Sequence, residues 1–398
     1  MRDDDFLGQL QPRILAGQQR FRSTMKRLVQ LSRPDLFEIL SAADDDAFLE
    51  PFAFLSFALN QPTSNLDQIF AGYFVSNGLP SRLTISTDRN GSFYVPGLGY
   101  FNTAQKTSML ELVVLANKSM YLQRNGNSVP YVFYRASRLS ETSIELVQRP
   151  IELLANCFLS PEGDLIPVDI NHAVSTHAAS LAKALTIISR QWPNLYEAIV
   201  QTVRRLVLFQ AEGMNSFATT TAHGTAFINT LLGDDEVFLV EDLAHQCGHV
   251  IFSAASIETA EDFAVSPSTP IPVFNQQSDD QRSVYVVLHG VFTEALMAKC
   301  LDACLTAEVF AGNRNHELQG RLAFILRRFA VDLHNISKPG ILSSQGKDLV
   351  HALYEVWTEI TKRRREMTEA CDFSGQAYNF CYQTFAEKNS RMLAAHAF

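Results

Sequence analysis

The chain has 398 residues, enough for two domains, and its 46% hydrophobic and 19% charged residues exclude an intrinsically disordered protein. Its net charge of −9 offers no basic surplus for nucleic acid. The acidic N-terminus lacks the apolar segment of a secretory signal, and no apolar run is long enough to span a membrane. Because the six cysteines show no CxxC spacing, we predict a reduced, cytoplasmic protein.

The N-terminal half combines helical patterns with β-hairpin patterns. Apolar spacing predicts helices over residues 5–31 and 52–59, and Ser32 is predicted to cap a further helix that begins near Pro34. Turn residues between short apolar runs predict three hairpins, at Asn90-Gly91, at Asn125-Gly126 with arms Met120–Leu122 and Tyr131–Tyr134, and at Pro161–Asp164. We therefore predict a mixed α/β N-terminal domain over residues 1–172, which would bind a peptide or another substrate.

The pattern after residue 173 is mainly helical. Helices are predicted over 178–189, 195–210, 284–310, 318–336, 343–367 and 378–395. A short strand is predicted at Gly224–Thr230, and Asp234 is predicted to cap the helix that follows it. Residues 258–283 are rich in Pro, Ser and Asp, which is typical of a lid or a binding loop. The predicted fold class is α+β and predominantly α-helical.

Two histidines, His245 and His249, lie four residues apart in the apolar run Glu236–Ser256. On a helix this spacing places both rings on one face, where they can bind one metal ion. The spacing alone is a common coincidence, but polar side chains are costly in an apolar helix, which favours ligation over a hydrogen-bonded core pair. We therefore predict a helical, metal-binding catalytic domain over residues 173–398.

The third ligand is expected on the next helix. His289, followed by Gly290, is the preferred candidate, and Glu294 is the alternative. A five-residue spacing puts these two side chains roughly 140° apart on a helix, so one metal would not take both. Glu241 and Asp242, one turn before His245, could orient its ring, although acids at such positions more often face solvent.

Gln246 occupies the position at which zinc peptidases of the HExxH type carry a glutamate general base. Glutamine has no useful basicity, so peptide hydrolysis through this motif would be disabled. Oxygen chemistry at a mononuclear iron(II) needs protein ligands and open coordination positions but not that base. The motif therefore favours a non-haem iron oxygenase over a peptidase.

The order of the sequence blocks resembles a known family. GTAFIN, EDLAHQCGHVIF, RSVYVVLHGVF and the arginine-containing helical segment after them are similar to the HExxH-motif peptide-modification family, over roughly residues 200–350. Its members lie beside gene clusters for ribosomally synthesised and post-translationally modified peptides (RiPPs). Characterised members are similar to iron(II)/2-oxoglutarate-dependent β-hydroxylases of peptide residues. Gln246 departs from the family's glutamate; it can keep a hydrogen bond near the metal but not the role of a base.

The resemblance implies that His245, His249 and His289 bind iron(II), and that 2-oxoglutarate is the co-substrate. It also implies an arginine that holds the 2-oxoglutarate carboxylate in a bidentate fork. Arg321 and Arg328 flank the apolar face of their helix and Arg282 ends the irregular stretch, so these three are the candidates.

The implied reaction is hydroxylation of a carbon, expected to be a β-carbon, of a residue in a ribosomal peptide or a related natural product. We predict neither a nucleic-acid nor a membrane partner, and the sequence is compatible with a homodimer. Two other functions stay open. A zinc metallopeptidase-like protein, active or decayed, would hold zinc at the same histidines, whereas a non-catalytic peptide-binding partner of a biosynthetic complex would only pack them.

Overall fold

The structure is a computed structural model that describes residues 6–59, 62–139, 141–275 and 280–390. It is 56% helical and 15% strand, which confirms the predicted α+β class with hairpins in the N-terminal half and helices in the C-terminal half. The chain forms two compact units: unit 1 contains residues 1–15, 179–201 and 232–398, and unit 2 contains residues 16–178 and 202–231. Both units therefore take segments from each of the two predicted domains.

The helices and strands have the following bounds. The α-helices are α1 (Phe6–Ser32), α2 (Pro34–Ala43), α3 (Pro51–Ala58), α4 (Pro62–Asn77), α5 (Glu152–Ala155), α6 (Ile170–Gln191), α7 (Pro193–Thr202), α8 (Glu236–Ala255), α9 (Pro272–Asn275), α10 (Val284–Thr306), α11 (Asn313–Ile336), α12 (Ser344–Arg363), α13 (Arg365–Ala370) and α14 (Tyr382–Lys388). The strands are β1 (Ser81–Ser86), β2 (Ser92–Val95), β3 (Gly99–Thr103), β4 (Met109–Val114), β5 (Met120–Arg124), β6 (Asn127–Val129), β7 (Tyr131–Arg135), β8 (Ser137–Arg138), β9 (Glu145–Leu146), β10 (Arg205–Phe209), β11 (Phe217–Ala218) and β12 (Thr225–Asn229).

The strands in the described residues all belong to unit 2, where they form three sheets with the orders β1-β4-β5-β6, β2-β3-β7 and β11-β12-β10-β9-β8. The first two sheets are antiparallel, whereas β10 runs parallel to both β9 and β12. Every residue of β10 is buried, as expected for a strand with neighbours on both sides. Arg205, at the start of β10, forms a buried ion pair with Glu50, 2.5 Å between Nη1 and Oε1.

Three predictions of secondary structure or strand pairing are wrong. The turn at Asn90-Gly91 does not join its flanking strands into a hairpin, because β1 pairs with β4 and β2 pairs with β3. Residues 195–210 do not form one helix, since α7 ends at Thr202 and a strand, β10, follows. A short apolar run fits a buried strand as well as a helix, so periodicity alone could not separate them. The turn at Asn125-Gly126 joins β5 to β6, as predicted, but residues 131–134 belong to β7, which pairs with β3 instead of β5.

The predicted helix ends are less accurate than the helices themselves. Ser32 is the last residue of α1 and does not cap α2, which follows Arg33 without a side-chain cap. Asp235 caps α8 in place of Asp234, accepting a hydrogen bond from the Val237 amide at 2.8 Å. The irregular stretch 258–283 contains only short helical turns, and its residues 276–279 lie outside the described residues, as do residues 391–395 of the last predicted helix.

Unit 1 is built around the two buried helices α8 and α10, which pack against each other. By length and composition α10 could cross a membrane, but 72% of its most apolar window is buried inside the protein, as in a core helix. Gly248 lies at the crossing of α8 and α10. A Cβ atom added there would lie only 2.8 Å from Leu296 Cδ1 and 3.3 Å from Thr293 Cγ2. The missing side chain therefore allows the two helices to approach closely.

We expect Gly248→Ala to lower the free energy of unfolding by about 1–3 kcal/mol, because the added methyl group must displace the buried side chains of Leu296 and Thr293 on α10. Gly8→Ala is the matched control. Gly8 is also helical, but an added Cβ meets nothing within 4 Å, so alanine should stabilise the chain by about 0.5–1 kcal/mol. Urea unfolding measures both changes, and equal effects at the two positions would argue against the close approach.

Candidate metal centre

The three histidines predicted as ligands lie together in unit 1. His245 and His249 are one turn apart on α8, with ring centroids separated by 4.7 Å. His289 on α10 reaches the same place, with its ring centroid 4.3 Å from that of His249. The close crossing at Gly248, the residue before His249, is what allows the two helices to bring these rings into contact.

Two aromatic rings enclose His289. Phe252 stacks on it with 4.7 Å between ring centroids, and Tyr285 lies at 5.6 Å. Neither residue was predicted from the sequence. Their spacing was the available signal, since Phe252 is three residues after His249 and Tyr285 four residues before His289, both of which place the rings on the histidine faces of their helices.

The rings of His249 and His289 are partly buried and are held in the neutral form. Burial lowers the pKa of His249 well below its usual range, and the neighbouring His289 and His245 lower it further. Burial, followed by the influence of His245, lowers the pKa of His289 to about 4. Neutral imidazole is the form that binds transition metals, so neither ring needs to lose a proton at neutral pH.

The arrangement as it stands contains a hydrogen bond between two of the three rings. His249 Nδ1 and His289 Nε2 are 2.7 Å apart, so one of the two nitrogens carries the hydrogen and the lone pair of the other accepts it. Accordingly, no group of three His, Cys, Asp or Glu side chains among the described residues is placed to hold a metal ion. The donor set suits a transition metal, which would replace this hydrogen bond with metal–nitrogen bonds.

Gln246 and Asp242 position the third ring, that of His245. The buried Gln246 donates from Nε2 to Asp242 Oδ1 at 3.0 Å, and the same nitrogen is 3.1 Å from His245 Nδ1. Asp242 Oδ1 is itself 3.7 Å from His245 Nδ1. Among the described residues, Asp242 Oδ2 and Gln246 Oε1 are buried without a hydrogen-bond partner. In this arrangement His245 Nδ1 accepts from the Gln246 amide; a His245 ring that offers Nε2 to a metal would carry its hydrogen on Nδ1, and the amide would have to turn so that Oε1, now without a partner, accepts it.

Glu241 does not contact His245 but binds Arg321. The Arg321 guanidinium is buried on α11, 3.1 Å from Glu241 Oε2 and 2.7 Å from Glu317 Oε1. It also lies over the rings of Phe238 and Phe380. Arg321 therefore links α11 to the helix that carries two of the histidines, with two carboxylates already matched to its charge.

Glu294, the alternative ligand, lies against α11 and not with the three histidines. Its Oε1 is 3.6 Å from Arg328 Nε. Burial, together with the neighbouring Asp332, raises the pKa of Glu294 well above its usual range, which favours the neutral carboxylic acid. Glu294 therefore belongs to a separate buried group of charges between α10 and α11.

The two remaining arginines belong to that second group. Arg282 binds Asp332 at 2.7 Å and Asp280 at 2.8 Å, so its charge is matched twice. Arg328 is about one third exposed, and its Nη2 donates to the Tyr378 hydroxyl at 3.1 Å. Among the described residues its carboxyl contact is with Glu294, at 3.6 Å between Arg328 Nε and Glu294 Oε1. Arg328 is therefore the candidate arginine whose charge is least matched.

Comparison with protein-family models and with curated proteins finds no match to this chain. The resemblance to the HExxH-motif peptide-modification family consequently stays a prediction from the sequence blocks.

We expect Gln246→Glu to destabilise the chain by about 2 kcal/mol instead of creating a peptidase, because the new carboxylate would meet Asp242 in a buried site. The exchange Asp242→Asn with Gln246→Glu restores one donor and one acceptor, so the double variant should recover most of that loss. Urea unfolding of the two variants and the parent measures this. If Gln246→Glu alone is as stable as the parent at neutral pH, the contact between Gln246 and Asp242 does not hold.

Proposed function

We propose that this protein is a non-haem iron(II)/2-oxoglutarate-dependent oxygenase. Its substrate would be a ribosomal peptide or a related natural product, hydroxylated at a carbon that we expect to be a β-carbon. The observation that carries the proposal is the meeting of three imidazoles from two helices, His245, His249 and His289, two of them partly buried and held neutral. Three protein ligands leave open positions on an iron ion, as oxygen chemistry requires.

The contacts of Gln246 favour an oxygenase over a zinc peptidase. In a peptidase the residue after the first histidine must accept a proton. Here Gln246 is buried and donates its amide hydrogen to Asp242, so its place in the site is to position His245. An oxygenase needs this positioning but not a base at residue 246.

The surroundings of the three rings suit a one-sided approach to the metal. His245 keeps 32% of its side chain exposed, whereas His289 is enclosed by Phe252 and Tyr285. The apolar rings would exclude water from the inner side, while His245 marks the side that co-substrate and peptide can reach. Dioxygen would be the oxidant for an unactivated C–H bond: bound iron(II) would activate it, and 2-oxoglutarate would give two electrons as it is decarboxylated to succinate.

Arg328 is the best-suited of the three candidate arginines for the distal carboxylate of 2-oxoglutarate. A guanidinium whose charge is already matched by two carboxylates has little to gain from a third, which disfavours Arg282 and Arg321. The single long contact of Arg328 is to Glu294, which favours the neutral form. Glu294 thus ties Arg328 to α10, the helix that carries His289.

We expect the purified chain to bind about one iron(II) per molecule under anaerobic conditions, because three imidazoles form a complete facial ligand set. Addition of 2-oxoglutarate should then produce the weak visible band of an iron(II) chelate, and admission of air should release succinate. His245→Ala, His249→Ala and His289→Ala should each weaken iron binding by at least about a hundredfold.

The matched control is His351→Ala. His351 lies on α12 in the same unit, with 73% of its side chain exposed and Glu355 as its partner, so iron binding should be unchanged. Retention of zinc with no response to 2-oxoglutarate would favour the metallopeptidase-like protein. If neither metal binds, and the histidine variants lose no more stability than ordinary core substitutions, the rings are only packed and the proposal fails.

We expect Arg328→Gln to weaken 2-oxoglutarate binding by about tenfold or more while leaving iron binding unchanged, because a charged hydrogen-bond pair is lost. Arg328→Lys keeps the charge without the planar fork and should recover only part of the affinity. Titration of the chelate band with 2-oxoglutarate gives the affinity.

Arg282→Gln is the comparison, since it leaves Asp280 and Asp332 unmatched. It should lower stability while the affinity for 2-oxoglutarate stays the same. The reverse result, with weak co-substrate binding in Arg282→Gln and normal binding in Arg328→Gln, would exclude Arg328.

A further inference from the structure

The strand β7 forms an edge of its sheet in unit 2. The sheet order β2-β3-β7 leaves one side of β7 without a partner strand among the described residues. Three consecutive apolar residues on this edge strand are exposed: Val132 by 56%, Phe133 by 39% and Tyr134 by 40%. Edge strands are usually protected by charged or inward-turned side chains, so a run of exposed apolar residues at an edge indicates a binding surface.

Two rows of aromatic side chains cross this sheet and end at β7. On one face Phe93 stacks on Phe101 at 4.7 Å, and Phe101 contacts Phe133 at 4.8 Å. The first two phenylalanines are buried, whereas Phe133 at the edge is not. The inner rings of the row are therefore covered by the protein, whereas the ring at the sheet edge is exposed.

The second row, on the opposite face, has the same form. Tyr94 contacts Tyr100 at 4.8 Å, and both are buried, while Tyr134 at the edge is exposed. The Arg149 guanidinium lies 4.0 Å from the centre of the Tyr134 ring and 5.9 Å from that of Tyr100. A further strand beside β7 would continue both rows and cover Phe133 and Tyr134.

The backbone of β7 is oriented to accept such a strand. The Ala136 amide donates to the Leu98 carbonyl at 2.8 Å, in register with the pairing of β3 and β7. By the alternation of an antiparallel ladder, Val132 and Tyr134 also bond to β3, so Phe133 directs its amide and carbonyl groups towards the open edge. By the same alternation, the backbone amide and carbonyl groups of Tyr131 and Arg135 also face the open edge. These groups can pair with an added extended segment.

The charge around this edge is positive. Residues 81–150 contain eight Lys or Arg and four Asp or Glu, a net charge of +4 in a chain whose net charge is −9. Arg135 and Arg138, at the end of β7 and just beyond it, are exposed, and neither forms an ion pair with the described residues. Arg149 is also without a carboxylate contact there and lies over the tyrosine row.

We propose that the β7 edge binds an extended acidic peptide as an added strand. Backbone hydrogen bonds would come from Phe133 and its alternate neighbours, apolar side chains of the peptide would cover Phe133 and Tyr134, and its carboxylates would meet Arg135, Arg138 and Arg149. A second copy of this chain fits less well, because it would bring one positive edge against another. That the peptide is a substrate rests on the proposed oxygenase function, but the binding itself does not.

The test uses the intact chain without added metal and a short fluorescent peptide in which valine and glutamate alternate. Fluorescence anisotropy at low salt should show saturable binding that weakens as salt is added. A peptide with lysine in place of glutamate should bind at least about tenfold more weakly. The valine–glutamate peptide methylated on every backbone nitrogen should lose binding to the same extent, because it cannot donate to the strand.

Arg135→Glu with Arg138→Glu should reverse the preference, favouring the lysine peptide. The matched control is Lys362→Glu with Arg365→Glu, which makes the same charge change in the basic run at the α12–α13 junction of unit 1 and should leave binding unchanged. Equal binding of the methylated peptide overturns the added-strand proposal, and loss of binding only in the control variant moves the site to that run. A dimer that Phe133→Asp dissociates would show that a second copy covers the edge.

Since no metal is needed for this binding, its failure leaves the iron proposal standing. Conversely, if the chain binds the acidic peptide but no iron, the proposal for the β7 edge stands and the oxygenase proposal fails.

Discussion

The close approach of α8 and α10 is the constraint on which the candidate metal centre depends. A methyl group at Gly248 would fit only if the side chains of Leu296 and Thr293 shifted. Because His249 is the next residue and His289 lies on the facing helix, the distance between these two rings is set by that crossing. The histidines therefore contact each other as a result of backbone packing, not of flexible side chains.

Features that depend on neighbouring residues follow from the sequence, whereas features that depend on distant segments do not. The α8 helix, the i, i+4 histidine pair and the turn at Asn125-Gly126 all follow from residues a few positions apart, and the structure has them. The partner of β7 is β3, some thirty residues earlier, and nothing within either segment specifies that pairing. The burial of β10 likewise depends on neighbours far along the chain, and without them its apolar run resembled the end of a helix.

The arginines illustrate the same difference. Asp332 lies one turn after Arg328 on α11, but it pairs with Arg282, fifty residues away, and Arg328 lies beside Glu294. Which arginine lacks a close carboxylate partner depends on how the helices pack. Spacing in the sequence therefore identifies three candidate arginines for a carboxylate site but does not rank them. Their ion pairs in unit 1 provide the ranking.

Asp242 gives a physical reason for a cation beside His245. It is buried, and none of the Lys or Arg side chains in the described parts of the chain forms an ion pair with it, whereas Glu241 and Asp332 each have an arginine. The hydrogen bond from Gln246 satisfies one of its oxygens but brings no charge, and Oδ2 is left without a partner. A buried carboxylate in this state is costly. Three neutral imidazoles would leave the full charge of a divalent metal uncompensated, so Asp242 and the ion would each offset the cost of the other. Gln246 is compatible with both the buried Asp242 carboxylate and a bound ion. A glutamate in its place would add a second carboxylate without a matching positive charge.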